Sequence, residues 1–181
     1  MATTSYDVPL IPQPTKLSGW VGAMAMLLNF RRPTTSMDTD QIAGEVKADL
    51  RTVYEWKTLE AVKDHYGFQA IELPADASPY PTPAQWSSWL TSYGPLWLTT
   101  NADPSLGIII RGVDGDLTLD GTQVMINNPV DTTMTFSRDD CDFDPGNPGR
   151  AYQQSFTELN TELGAGQWPN YSSWRVLYLP A

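Results

Sequence analysis

Apolar and polar residues follow two rhythms along this chain, and the change from one to the other falls near its middle. Trp20, Met24, Leu27 and Leu28 recur at helical spacing, with Ser18 placed to cap the start and Pro33 beyond the end. This stretch is apolar on most sides, which predicts a helix central to the core. A shorter helix is expected over Asp38–Val46. Trp56–Tyr66 places Leu59, Val62 and Tyr66 on one face and meets Gly67, a residue suited to ending a helix. Pro83–Tyr93 gathers Trp86, Trp89, Leu90 and Tyr93 on one side, and Gly94-Pro95 stops it.

Phe68–Leu73 reads as a short strand among these helices, and beyond residue 95 the pattern turns β-rich. Leu96–Thr100, Gly107–Val113, Gln123–Asn127 and Ser173–Leu179 are strand-forming runs separated by Gly, Asp and Pro. Asp114–Gly121 reads as a hairpin loop between two of them. Ser155-Phe156-Thr157-Glu158 matches a capping box and predicts a short helix to Leu163. Residues 1–16 carry Pro9, Pro12 and Pro14, which favours an extended segment over a helix. Helices first and strands later predict an α+β fold, with a central N-terminal helix packed on an antiparallel β-sheet. No repeat or linker interrupts the chain, so one domain over residues 1–181 is expected.

Composition narrows the function. A length of 181 residues, 41% of them hydrophobic, with seven tryptophans, is enough to bury a core. Eleven basic against twenty-one acidic residues give a formal charge of −10. That field repels phosphate backbones and anionic membrane surfaces, so nucleic acid is a poor partner. A single cysteine, Cys141, excludes an internal disulfide and a cysteine-built zinc site, and the single His65 excludes a multi-histidine centre. No cofactor or metal is expected. No run approaches about 18 apolar residues, and the N-terminus lacks the basic start and apolar stretch of a signal peptide. A soluble protein is expected, cytoplasmic in the producing cell or delivered by a route without such a signal, and not inserted in a membrane.

Four segments carry a further signal in their order and spacing. The first is Val8-Pro9-Leu10-Ile11-Pro12-Gln13, continued by Leu17-Ser18-Gly19-Trp20. The second is Asp64-His65-Tyr66-Gly67-Phe68. The third is Gly94-Pro95-Leu96-Trp97 and then Leu106-Gly107 through Asp116, and the fourth is Val124-Met125-Ile126-Asn127-Asn128-Pro129. Together they resemble the bacterial papain-like cysteine peptidases, in the group of avirulence-effector and bacteriocin-processing enzymes, over about Val8 to Pro129.

The resemblance implies a papain-like fold and assigns positions. Such an enzyme needs a thiolate at a helix start, where the helix dipole and an imidazolium lower its pKa. It needs a histidine to move the proton, an Asn or Asp to orient it, and a glutamine to donate to the oxyanion. By the resemblance Gln13 falls on the oxyanion position and Asn128, or Asn127, on the orienting one. Gly19 falls on the nucleophile, and Leu106, six residues before Gly112, on the histidine. Losing both members of that couple leaves no thiol chemistry. Two changes, one of them to leucine, read as natural divergence rather than as an engineered trap.

The expectation is therefore a papain-like pseudoenzyme with no catalytic residue, retaining a cleft lined by Gln13, Ser18, Gly19, Trp20, Leu106, Gly107, Asn127 and Asn128. Such a cleft would hold a protein or peptide partner, and the resemblance suggests a bacterial effector or toxin-system component. The rivals are a hydrolase with relocated catalytic groups and an adaptor domain of a secretion or phage-like assembly. Plainer readings stand beside these. Gln13 also suits a turn, Trp20 the core, Asn128 a turn before Pro129, and Ser18 a helix cap. His65, at a helix end, reads as structural or exposed. Cys141 sits among acids that raise a thiol's pKa. Asp139, Asp140, Asp142 and Asp144 resemble a calcium loop, but the twelfth place from Asp140 is Ala151, so a solvated acidic loop is expected.

Overall fold

In a computed structural model describing residues 2–15, 17–50, 56–72, 81–100, 107–130, 149–164 and 174–181, the two rhythms become helices on both faces of a sheet. Strand β1 (Ala2–Ser5) precedes α1 (Gly19–Arg31), α2 (Thr39–Val46), α3 (Trp56–Tyr66), β2 (Gln69–Ile71) and α4 (Pro83–Tyr93). Then come β3 (Leu96–Thr100), β4 (Gly107–Gly115), β5 (Thr122–Asn128), β6 (Arg150–Ser155), α5 (Phe156–Gly164) and β7 (Trp174–Tyr178). The fold is α+β, as expected. Among the described residues, no helix is long and apolar enough to cross a membrane.

Local chemistry sets several helix ends. Asp38 caps α2, its carboxylate accepting from the Gln41 N–H at 2.7 Å. Thr82 and Gln85 cap α4 reciprocally, with Pro83 at its first turn. Ser155 and Glu158 do the same for α5, through bonds of 3.2 Å and 2.8 Å. Gly67, at φ +83, closes α3 in the left-handed conformation that glycine adopts without strain.

The sheet is antiparallel, in the order β2-β7-β3-β4-β5-β6. β4 is its hub. One edge pairs with β5, and the other is shared, with β3 on Gly107–Ile110 and β1 on Gly112–Gly115. Ile110 faces Ile126 while Gly112 faces Met125, so Arg111 is the extra residue of a bulge. β1 and β6 were not expected from the sequence. β1 is Ala-Thr-Thr-Ser, and β6 is a largely exposed polar edge, so neither carries an apolar alternation.

Side chains alternate between two cores. Trp97, Ile109 and Leu177 face α1, with Ile42 of α2 and Val62 and Tyr66 of α3 in the same cluster. Leu96, Leu98, Ile110 and Val176 face the other way, onto Trp86 and Leu90 of α4 and Phe156 and Leu159 of α5. Burial on both faces explains why β4 opens with Gly-Ile-Ile-Ile rather than an apolar–polar alternation. Helix α1 is buried at every position from Gly19 to Leu28, so its lack of a polar face reflects a central place.

Arg31 joins the layers at the far end of α1. Its Nε donates to the Leu179 carbonyl at 3.0 Å, and its Nη2 to the Tyr93 carbonyl. The guanidinium lies over Gly94, where a Cβ would stand 2.6 Å from Nη2 and where φ is +82. Gly94→Ala is therefore expected to lower stability by about 1–3 kcal/mol in urea denaturation, from backbone strain and displacement of Arg31. Gly44 lies inside α2 and a Cβ there meets nothing within 4 Å. Gly44→Ala should instead stabilise by about 0.5–1 kcal/mol in the same assay.

Candidate functional site

The chain reaches α1 by crossing the sheet. Tyr6 N–H donates to the Arg111 carbonyl at 2.9 Å, at the bulge of β4. Two residues on, the Val8 carbonyl accepts from Asn127 Nδ2 at 2.9 Å. Gln13 N–H then donates to the Pro129 carbonyl at 2.9 Å, just past the end of β5. These three bonds fix where Gln13 and the following turn stand, and so where α1 begins.

That turn bonds to itself. Gln13 is buried, and its Nε2 donates to the Thr15 carbonyl at 2.9 Å. The Ser18 hydroxyl donates to the same carbonyl at 2.8 Å and accepts from the Thr15 N–H at 2.8 Å. The Thr15 hydroxyl donates to the Leu50 carbonyl, which ties the turn to the segment after α2. Ser18 is thus not the side-chain cap expected from the sequence. It makes no cap bond to α1, because its hydroxyl already has both a donor and an acceptor within the turn.

Gly19 opens α1, buried and without a side-chain atom. Trp20, 1% exposed, belongs to the core. One turn further, a Cβ on Gly22 would stand 2.7 Å from Pro129 Cβ and 3.2 Å from the Ile11 carbonyl. A Cβ on Gly107, at the start of β4, would stand 3.2 Å from Ala23 Cβ and 2.6 Å from Trp97 Nε1. The first two turns of α1 are thereby wedged between the start of β4 and the end of β5. Trp97 lies beneath, its buried indole N–H without a hydrogen-bond partner among the described residues.

The two asparagines separate into different roles. Asn127 pairs with Ile109, whose side chain belongs to the α1 core, and is 2% exposed. Besides donating to Val8, its Oδ1 accepts from Arg111 Nε at 3.0 Å. The Asn128 Oδ1 accepts from the Val130 N–H at 3.1 Å, the local turn bond of an Asn before proline. His65 has a side chain 52% exposed, and its Nε2 is 3.5 Å from Glu45 Oε2. Tyr66 O–H donates to the same carboxylate at 2.7 Å and, ahead of Gln41, holds its pKa below the usual value. His65 is thus about half exposed and lies beside a carboxylate of α2.

The structure therefore brings Gln13, the Gly19 end of α1, Gly107 and the Asn127–Pro129 end of β5 together. Leu106 lies outside the described residues, as do Cys141 and the acidic stretch Asp139–Asp144. Among the described residues, no group of three or more His, Cys, Asp or Glu is placed to hold a metal ion. Sequence reading missed Arg111, Gly22 and Trp97. A glycine inside an otherwise apolar helix was the available signal for Gly22, since it marks close approach of another backbone. All the described candidates — Gln13, Ser18, Gly19, Trp20, Gly107, Asn127 and Asn128 — are buried. Chemically, Gly19 offers no side chain at the helix start, and the polar side chains beside it bond to backbone and to one another.

The sequence profile of the papain-like cysteine protease AvrRpt2 family, Peptidase C70, matches residues 2–138. No curated protein matches the chain. The matched span holds the three crossing bonds, all of α1 and the β4–β5 pair.

Asn127→Ala removes partners from Val8 and Arg111 at once. It is expected to cost about 1–3 kcal/mol in urea denaturation and to speed proteolytic cutting within residues 6–13. Unchanged stability and cutting would show that Asn127 does not hold this segment.

Proposed function

From a chain that belongs to the papain-like cysteine protease AvrRpt2 family, yet carries glycine at the start of α1, we propose a pseudoprotease that acts by binding a protein or peptide. The observation that carries this reading is Gly19 itself. Papain-like catalysis needs a thiolate at a helix start, and Gly19 opens α1 without a side chain. A histidine is missing from the position six residues before Gly112, where Leu106 stands. Two neighbouring hydroxyls do not replace the thiol. Ser18 and Thr15 are buried and spend their hydroxyls on backbone carbonyls, and the chain's one histidine belongs to the exposed Glu45 pair. A relocated hydrolase would need a base beside one of them.

Loss of the reaction turns the family's polar residues to structural use. Gln13 bonds to its own turn, and Asn127 clamps the incoming chain to β5. Binding then falls to the mouth of the old cleft, formed by side chains around the buried floor, within one domain spanning residues 1–181. The family supports a bacterial effector or toxin-system component as the setting. The acidic charge of −10 favours a basic or neutral partner over nucleic acid.

Incubation of the purified protein with a broad peptide library, read by mass spectrometry, tests the reading. The expected outcome is no cleavage above buffer, for the native chain and for Cys141→Ala alike. Cleavage that survives Cys141→Ala would sink the pseudoprotease.

A further inference from the structure

A second cluster of polar side chains, outside the site around Gly19, joins α2 to α3. Glu45, in the last turn of α2, and His65, in the last turn of α3, bring Oε2 and Nε2 to 3.5 Å. That separation is longer than a good N–H···O bond. It matches the edge of a tetrahedral metal site instead, since an ion about 2.1 Å from both atoms would make an angle of about 113° between them. Both groups are already oriented. Tyr66 O–H donates to the same Oε2 at 2.7 Å, and Gln41 Nε2 donates to Oε1 at 3.2 Å. The His65 ring stands edge-on to the Tyr66 ring, at 4.7 Å between centroids and 87° between planes. Tyr66 is buried, so the residue that orients both ligands is fixed in the core. The His65 and Glu45 side chains are exposed enough for an ion to reach them from solvent.

We propose that Glu45 and His65 bind a divalent transition-type cation, Zn²⁺, as a bridge between α2 and α3. His65 Nε2 and Glu45 Oε2 are the protein ligands, and water completes the tetrahedron. Tyr66 acts from behind the carboxylate: its hydroxyl occupies one lone pair of Oε2 and leaves the other for the ion. Mg²⁺ is a poor rival, because it prefers oxygen ligands in octahedral geometry and sheds its waters reluctantly. The formal charge of −10 draws cations to the surface in general, and the imidazole selects among them.

His65 is the chain's one histidine, so its imidazole NMR signals report this site alone. Zn²⁺ titrated into the native protein should shift those signals, and Mg²⁺ at the same concentration should not. Glu45→Gln, at an exposed position, keeps an acceptor for Tyr66 and should weaken Zn²⁺ binding at least about tenfold with the fold intact. The response should persist in Cys141→Ala, which removes the one thiol that could compete for zinc. Signals unmoved by about 1 mM Zn²⁺, an equal response to Mg²⁺, equal binding by Glu45→Gln, or loss of the response in Cys141→Ala would each overturn the assignment.

Discussion

Everything in the site depends on how closely α1 can lie against the sheet. Gly22 admits Pro129 and the Ile11 carbonyl where any side chain would collide, and Gly107 admits Ala23 and the Trp97 indole. Close approach on both sides fixes the start of α1 between two strands. Because the helix is apolar all round, its burial is favourable in every direction, and it needs no exposed polar face. The scaffold thus positions a helix start with the rigidity that a catalytic thiol requires. Here that position holds Gly19.

The polar residues around Gly19 find their partners within the fold. The Gln13 amide donates to the Thr15 carbonyl. An asparagine at the end of β5 holds Val8 and Arg111, residues far away in sequence. Each bond satisfies a polar group that would be costly to bury alone. These polar residues therefore serve the fold. The same logic explains the crossing segment from Tyr6 to Gln13, which three bonds to β4 and β5 hold in place of regular pairing.

Much of the fold was legible because it follows local rules. α3 and α4 run over the expected spans, since Gly67 and Gly94 end them and Thr82 with Gln85 caps the second. The strands of the central sheet were legible from their apolar runs. β1 and β6 were not, because their order comes from neighbours: β1 completes the edge of β4 that β3 leaves open, and β6 adds to β5. In the site, Gln13, Gly19 and Asn127 were legible as residue types. Their bonds were not, because the partners are backbone groups as far as 119 residues away. Ser18 misled for a related reason: a Ser before a helix suits a cap, but Thr15 offered its hydroxyl nearer partners.

We propose that α1 still presents a nucleophile position without its nucleophile. The direct measurement is the pH dependence of iodoacetamide alkylation of Gly19→Cys, paired with Leu106→His, in a Cys141→Ala background. A retained frame predicts a thiol pKa well below the free value of about 8.5, and a further fall when the histidine is added to the single cysteine. A pKa at or above about 8.5, unmoved by Leu106→His, would contradict the account, since position 19 would then not occupy a protease's nucleophile site.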